Sequence, residues 1–310
     1  MHYRSAGPWL CACIGALVML NVAHATAPAL AATTPGASTA SASTRASLQT
    51  TQIPSHGALM NALVYVAAGA GPHPAVILLH GFPGNERNLD LAQDMRRAGW
   101  DVLYFNYRGS WGTPGRFSFS HSLDDTQAAI AYLRQPAVAK KLRLDRSRIV
   151  LVGHSMGGFM AVEAAAADPA IKAFATISAA DLGGRYLKSL GTQKNDIGTR
   201  QATEKLSKSL AAEGMAPLSG CTADGLAHDV ANHAMSWQFQ AKVDALKTRT
   251  ALVITSDDGL AAESEALAVS LRRAGQGQVT IAHLPTDHAY SDQRKELSDT
   301  VLKWLTSLPR

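Results

Sequence analysis

Short apolar runs alternate with stretches of helical spacing along most of the chain after residue 49. The runs have strand length and are apolar at nearly every position, which is typical of strands buried on both faces. The stretches between them place apolar side chains three and four residues apart, as amphipathic helices do. This alternation predicts an α/β fold whose mostly parallel sheet carries helices on both faces. The predicted strands are 50–53, 58–67, 75–79, 100–107, 148–152, 173–178, 250–255 and 279–284, and the predicted helices are 88–98, 123–133, 155–167, 261–274 and 294–305.

One segment, 181–247, interrupts the alternation. It is too long for a loop without secondary structure inside a compact domain. Two of its parts, 203–212 and 228–243, have helical spacing. We therefore expect a helical cap insertion that lies over the carboxyl edge of the sheet.

The N-terminus has the pattern of a secretory signal. Arg4 precedes the apolar stretch Trp9–Leu20, and Ala23-His24-Ala25 offers small residues at the two positions that a signal peptidase reads. The stretch is shorter than the about 20 residues of a bilayer span, although an uncleaved N-terminal anchor is the alternative. Residues 1–25 are therefore predicted to be a signal peptide. The mature protein is expected to be exported, periplasmic or secreted, without a membrane span.

The composition narrows the class of protein further. Residues 26–48 are mainly Ala, Thr and Ser and predict a flexible tether, which leaves 49–310 as the folded domain. Only Cys221 lies beyond the signal, so the mature chain has no intrachain disulfide. The chain is 46% hydrophobic and 17% charged, which excludes general disorder. Its net charge of +5 is dispersed, so no nucleic-acid partner is expected.

The motif Gly153-His154-Ser155-Met156-Gly157 stands between a predicted strand and a predicted helix. A serine at such a turn adopts strained backbone angles and needs small neighbours, which the glycines provide. Its hydroxyl then projects from the carboxyl edge of the sheet, beside the positive N-terminus of the helix. Ser155 is the candidate nucleophile, and a tight turn with an incidental serine is the alternative.

A nucleophilic serine needs a base, because its hydroxyl is weakly nucleophilic at its ordinary pKa. Of the 11 histidines, His288 follows the last predicted strand and precedes the last predicted helix. A base would reach Ser155 from that loop. His283 lies within the strand, and His228 and His233 lie in the insertion, where packing or solvation accounts for them.

The base in turn needs a carboxylate, which stands between nucleophile and base in the chain order of such folds. Asp257 and Asp258 both follow the seventh predicted strand. Asp258 is favoured because the glycine after it permits a tight turn that aims it at the site, and Asp257 is the alternative. Asp181 and Asp287 are weaker candidates that suit turns or helix caps.

The oxyanion that forms during acyl transfer needs preorganised N–H donors. One is the backbone N–H of Met156, which follows the nucleophile. The other is expected in His80-Gly81-Phe82-Pro83-Gly84, after the third predicted strand. The N–H of Phe82 is favoured, since Pro83 has none. The side chain of His80 is expected to brace this loop.

Together these motifs resemble the α/β-hydrolase superfamily over about 72–308. The resemblance implies an eight-stranded, mostly parallel sheet and hydrolysis of an ester, thioester or amide through an acyl-enzyme, without a cofactor. It further implies a triad of Ser155, Asp258 and His288, with oxyanion donors at Phe82 and Met156.

The segment Tyr107–Gly112 is similar to the equivalent loop of the dipeptidyl and acylaminoacyl peptidase branch. Those peptidases carry a large additional domain, for which 49–310 is too short, and no paired-glutamate motif for a free N-terminus is recognisable. A small esterase that acts on a small-molecule ester is therefore expected. A serine peptidase or amidase that acts on a short peptide is the alternative.

Two other classes are less favoured. A non-catalytic, hydrolase-like binding protein would not need the nucleophile, base, acid and oxyanion loop that are all present. A metallohydrolase would need a recognisable ligand motif, and His228 and His233 do not have such spacing. No metal site is therefore expected.

Several large apolar side chains are candidates for the walls of a substrate pocket, because such pockets are mainly apolar. Trp111, Met235 and Trp237 are favoured, and packing of the insertion on the rest of the domain is the alternative. The full set is Trp111, Phe117, Phe119, Met235, Trp237 and Phe239.

Overall fold

A computed structural model of the chain describes residues 44–193, 195–275 and 277–309. The predicted signal peptide, 1–25, and most of the predicted tether lie outside these residues. The first strand begins at Ser47, inside the segment predicted to be the tether, because Ser47–Ser55 pairs with Ala58–Val66 along its whole length.

The described residues form eight strands, ten α-helices and one 3-10 helix. None of these helices is long and apolar enough to cross a bilayer. The strands are β1 (Ser47–Ser55), β2 (Ala58–Val66), β3 (His73–Leu79), β4 (Asp101–Phe105), β5 (Leu144–His154), β6 (Ala173–Ile177), β7 (Thr250–Thr255) and β8 (Val279–His283). The α-helices are α1 (Leu89–Arg97), α2 (Phe119–Arg134), α3 (Pro136–Leu142), α4 (Met156–Ala167), α5 (Leu182–Leu190), α6 (Asp196–Ala212), α7 (Ala223–His233), α8 (Val243–Leu246), α9 (Ala261–Ala274) and α10 (Arg294–Ser307), and the 3-10 helix is Phe239–Lys242.

The eight strands form one sheet in the order β1-β2-β4-β3-β5-β6-β7-β8. The β1–β2 and β2–β4 pairs are antiparallel and the other pairs are parallel. The predicted fold with a mostly parallel, eight-stranded sheet is therefore confirmed. In the β3–β5 ladder Leu79 is the partner of Gly153, so the loop after β3 begins beside the turn that contains Ser155.

The sheet is buried on both faces, as its unbroken apolar strands require. On β3, Ile77 and Leu79 belong to one hydrophobic cluster, which includes residues of α2, α4 and α9. Val76 and Leu78 point the other way, into a second cluster with residues of α1 and α10. Alternate side chains of a strand face opposite sides of the sheet, so helices cover both faces, as predicted.

The segment between β6 and β7 is helical, as expected, and contains α5 to α8 together with the 3-10 helix. Three of its helices begin at side-chain caps, and the Asp181 carboxylate caps α5. The Asn195 Oδ1 accepts the N–H of Gly198 at 2.9 Å, and the Thr222 Oγ1 accepts the N–H of Gly225 at 3.0 Å. These caps satisfy backbone donors that a helix start leaves unpaired.

The helix predicted over 228–243 differs from the observed structure. The threonine cap starts α7 earlier, and α7 ends at His233. The Phe239 N–H then donates to the Asp181 carboxylate at 3.2 Å, which fixes the start of the 3-10 helix instead of a continuous α-helix. The short helices α3, α5 and α8 were not predicted.

Backbone hydrogen bonds tie the insertion to the loop after β4. The Trp111 N–H donates to the Pro217 carbonyl at 2.9 Å, and the Phe117 N–H donates to the Ser219 carbonyl at 3.0 Å. Since β4 is one of the parallel strands, this loop lies at the carboxyl edge of the sheet. The insertion therefore contacts the edge at which ligands of α/β folds bind.

Candidate active site

Ser155 occupies the sharp turn between β5 and α4. Its φ of 56° and ψ of −121° lie in a region that residues with a Cβ rarely adopt. A Cβ on Gly153 would lie 2.0 Å from the Gly157 carbonyl oxygen, and one on Gly157 would lie 2.0 Å from the Leu79 carbonyl oxygen. Only glycine fits at these two positions. The half-buried Ser155 thus sits in a strained, tightly packed strand-to-helix turn.

His288 lies in the loop between β8 and α10, and its ring is paired with Asp258. The His288 Nδ1 is 2.7 Å from the Asp258 Oδ2. The Asp258 side chain is only 4% exposed. Burial opposes its ionisation, but hydrogen bonds from His288, from the Leu260 N–H and from Ser178 outweigh burial and hold the pKa of Asp258 below its ordinary value. An ionised carboxylate only accepts, so the His288 Nδ1 carries the proton and the Nε2 is left as an acceptor.

The other candidate acids lie elsewhere. The Asp257 side chain is 66% exposed and its Oδ1 lies 3.2 Å from the His283 Nε2. Asp181 caps α5, and the Asp287 Oδ1 accepts the Ser291 N–H at 2.9 Å. Of the four carboxylates considered from the sequence, Asp258 is the one hydrogen-bonded to His288.

His154, which directly precedes Ser155, contacts the base His288 and so places the nucleophile turn beside the base loop. The His154 ring centroid is 4.6 Å from that of His288. No hydrogen bond joins Ser155 and the His288 ring among the described residues. Such a contact is often long without substrate and shortens when substrate binds.

A group of buried hydroxyls lies behind Asp258 and was not predicted. The Ser178 Oγ is 2.8 Å from the Ser256 Oγ and 2.8 Å from the Tyr290 hydroxyl. Ser178 follows β6 with a φ of 44°, and burial raises the pKa of Tyr290 to about 12. A serine at a strand end is too common for the sequence to indicate that Ser178 supports the acid. The position of β6 beside β7, the strand that precedes Asp258, could have suggested it.

The loop after β3 packs directly on the nucleophile. A Cβ on Gly81 would lie 2.9 Å from the Ser155 Cβ and 3.4 Å from its Oγ, so the backbone that leads into Phe82 runs against Ser155. Met156 is the first residue of α4, and the first N–H groups of a helix have no acceptor within it. Both residues chosen as oxyanion donors thus border Ser155.

His80 is buried behind this loop. Its Nδ1 lies 2.8 Å from the Gly81 carbonyl oxygen, and its ring centroid is 4.6 Å from that of Tyr107. Burial lowers the pKa of His80 to about 4, so the ring is neutral at neutral pH. These contacts are those of a residue that braces the loop.

The three candidate pocket residues lie in different surroundings. The Trp111 Nε1 donates to the Pro83 carbonyl at 3.2 Å, which places the indole beside the oxyanion loop. Trp237 is 5% exposed and meets the ring of Phe159 edge-on at 5.4 Å. Met235 is 70% exposed. Trp111 therefore borders the site, Trp237 packs the insertion on α4, and Met235 faces solvent.

The described part of the chain holds no cluster of three or more His, Cys, Asp or Glu side chains arranged for a metal ion.

A family model described as the alpha/beta hydrolase fold matches residues 74–293, which is more than half of the chain. The chain belongs to this family, as the motifs around Ser155 and His288 implied.

Two curated relatives are each 33% identical to this chain over 106 residues. Both are described as uncharacterized proteins of Mycobacterium tuberculosis, from the strains CDC 1551 / Oshkosh and ATCC 25618 / H37Rv. The matched part is 34% of this chain and 35% of each relative. The chain thus spans about a third of the length of the curated relatives it matches.

Solved structures of similar fold include a carboxylesterase, the protein Est1E and a lipase. EstE1, a thermostable carboxylesterase from a metagenomic library, has a TM-score of 0.60 at 20% identity, over 85% of this chain and 90% of that one. Est1E from Butyrivibrio proteoclasticus has a TM-score of 0.60 at 19% identity, over 83% and 97%. A lipase in its open form has a TM-score of 0.61 at 15% identity, over 84% and 98%. At such identities the likeness establishes the fold.

Proposed function

We propose that this protein is a serine hydrolase that cleaves carboxylic esters, or thioesters, through an acyl-enzyme on Ser155. The observation that carries the proposal is the buried Asp258 carboxylate on His288, next to a serine in a strained strand-to-helix turn. The family supports a hydrolase, and the solved carboxylesterase and lipase of similar fold favour an ester over an amide. A peptidase acting on short peptides is the second candidate from the sequence, but no contact in the site favours it.

In the proposed reaction the His288 Nε2 takes the proton of Ser155 as the Oγ attacks the carbonyl carbon. The N–H groups of Phe82 and Met156 donate to the oxyanion of the tetrahedral intermediate. The intermediate collapses, the ester C–O bond breaks, and the leaving alcohol takes the proton from His288. Water then attacks the acyl-enzyme with His288 as base, which releases the carboxylic acid and restores Ser155. Asp258 stays ionised throughout.

The proposed substrate is a small-molecule ester. The position of Trp111 beside the oxyanion loop supports its role as an apolar wall of the substrate pocket near the reacting carbonyl. Trp237 instead packs the insertion on α4, and Met235 faces solvent. From the signal-like pattern of residues 1–25 we also propose that the protein is exported, to the periplasm or the medium.

Hydrolysis of p-nitrophenyl esters with acyl chains of increasing length tests the proposal. Wild-type protein should turn over the short esters, with activity that rises with chain length and then collapses, as a closed pocket requires. Replacement of Ser155 by Ala should cost on the order of a millionfold in turnover, the scale for loss of a triad nucleophile. Ser209→Ala, on an exposed position of α6, is the matched control. Full turnover in Ser155→Ala would refute the assignment, and equal activity on emulsified triglyceride would refute the closed pocket.

A further inference from the structure

His154 is the last residue of β5 and directly precedes Ser155, yet its side chain contacts the base loop. It is 2% exposed. Its Nε2 lies 2.8 Å from the backbone carbonyl oxygen of His288. A carbonyl oxygen only accepts, so the Nε2 must carry a proton and donate. A residue of the nucleophile turn therefore holds the backbone of His288.

The ring of His154 also lies against the ring of His288. Their centroids are 4.6 Å apart and their planes are inclined by 39°. The ring of Tyr290 meets the ring of His154 edge-on, with the two centroids 6.4 Å apart and the planes inclined by 72°. Burial is the main cause that lowers the pKa of His154 to about 3. His154 is thus a neutral ring at neutral pH, so it offers His288 a contact surface and one hydrogen bond and adds no charge.

We propose that His154 is a positioning residue for the base His288, an inference that rests on the proposed function. His154 holds His288 by two contacts, a hydrogen bond to its backbone carbonyl and a contact with one face of its ring; together these are called the clamp. Asp258 alone does not fix the base. A single hydrogen bond at Nδ1 leaves the imidazole free to swing about the line between Nδ1 and the carboxylate. The second hydrogen bond and the ring contact from His154 restrict that swing.

The restriction matters because the Nε2 must meet the Ser155 hydroxyl in line. A displacement of about 1 Å at a reacting group can cost about a hundredfold in rate. His154 is joined to Ser155 by a peptide bond, so the clamp holds the base relative to the nucleophile itself. Substrate binding involves neither contact, so loss of the clamp should lower kcat and leave KM almost unchanged.

Two substitutions separate the clamp from simple filling of space. His154→Phe keeps an aromatic ring and removes the N–H donor, whereas His154→Gln keeps an amide N–H that can reach the carbonyl. We expect His154→Phe to lower kcat about 10- to 100-fold with KM within about threefold. We expect His154→Gln to recover kcat to within about fivefold of wild type. His228→Gln in the insertion, where the His228 side chain is 61% exposed, is the matched control and should leave both constants unchanged.

Steady-state kinetics on a short p-nitrophenyl ester, with thermal melting of each variant, decides the matter. A wild-type kcat in folded His154→Phe would overturn the inference, and so would equal losses in His154→Phe and His154→Gln. If His154→Phe does not fold, His154→Asn, whose amide is too short to reach the carbonyl, replaces it under the same criteria. Failure of wild-type protein to hydrolyse any ester would instead refute the proposed function. The two failures are therefore distinguishable.

Discussion

The most informative perturbation of the site is Asp258→Asn, because it changes one atom group at the centre of the His288–Asp258 pair. The Asp258 Oδ2 is 2.7 Å from the His288 Nδ1, and the side chain is 4% exposed. An asparagine has nearly the same shape, so the cavity behind the ring stays filled. The substitution replaces one carboxylate oxygen by an NH2 group, which donates hydrogen bonds instead of accepting them.

The consequence for the base follows from the tautomer. When the asparagine presents its NH2 group, the His288 Nδ1 must accept, and the ring proton moves to the Nε2. The Nε2 then carries a proton and cannot take the proton of Ser155. The imidazolium that forms during turnover also loses its buried counter-charge. Loss of a triad carboxylate by such a swap costs about 10⁴-fold in kcat, which is about 5.5 kcal/mol of activation free energy.

The neighbouring carboxylate supplies the matched control. Asp257→Asn removes a carboxylate whose side chain is 66% exposed and paired with His283, so kcat should stay within about threefold of wild type because exposed pairs contribute little. Both variants are assayed on the same p-nitrophenyl ester, with the enzyme concentration fixed by absorbance and folding checked by circular dichroism. A larger loss in Asp257→Asn than in Asp258→Asn, or equal losses, would refute the choice of Asp258 as the acid.

Three further predictions concern the hydroxyls behind Asp258, the carboxyl group at the start of β4, and the packing of the insertion on α4. Ser178→Ala removes the hydroxyl that lies between Tyr290 and the Asp258 carboxylate. We expect kcat to fall about 10- to 100-fold, because hydrogen bonds to charged groups contribute about 1.5–3 kcal/mol. An unchanged kcat would contradict the role of this network. Burial raises the pKa of Asp101 to about 7, so the folded protein holds a proton that the unfolded chain releases near pH 4, and stability should fall as pH rises from about 4 to 7 by as much as about 4 kcal/mol. Urea unfolding of Asp101→Asn should lack that part of the slope, and an unchanged slope would contradict the shift. Trp237→Ala should cost about 3–5 kcal/mol of unfolding free energy, whereas a small loss with a raised KM would favour a pocket wall.

Much of the site could be predicted because its chemistry leaves local signals. Glycines on both sides of Ser155 are required by the close approach of backbone atoms at the turn, and that requirement is visible in five consecutive residues. The place of His288 follows from the order of strands and helices. The α/β alternation is equally local, because strands buried on both faces are apolar throughout.

Contacts between distant residues left no such signal. The sequence makes Asp257 and Asp258 nearly equivalent, and only the course of the turn decides which carboxylate points inward. His154 occupies a variable position of its motif, and its partner is His288, 134 residues later. The insertion was predicted least well. Residues 228–243 have helical spacing, but the hydrogen bond from the Phe239 N–H to the Asp181 carboxylate starts a 3-10 helix within this segment.

The central claim is that the Ser155 hydroxyl is an activated nucleophile. The most direct measurement is covalent labelling by a fluorophosphonate probe, followed by proteolysis and mass spectrometry of the labelled peptide. The account predicts one adduct, on the peptide that contains Ser155, which disappears in Ser155→Ala and forms far more slowly in Asp258→Asn. An adduct on another serine, or no adduct in folded wild-type protein that hydrolyses esters, would contradict it.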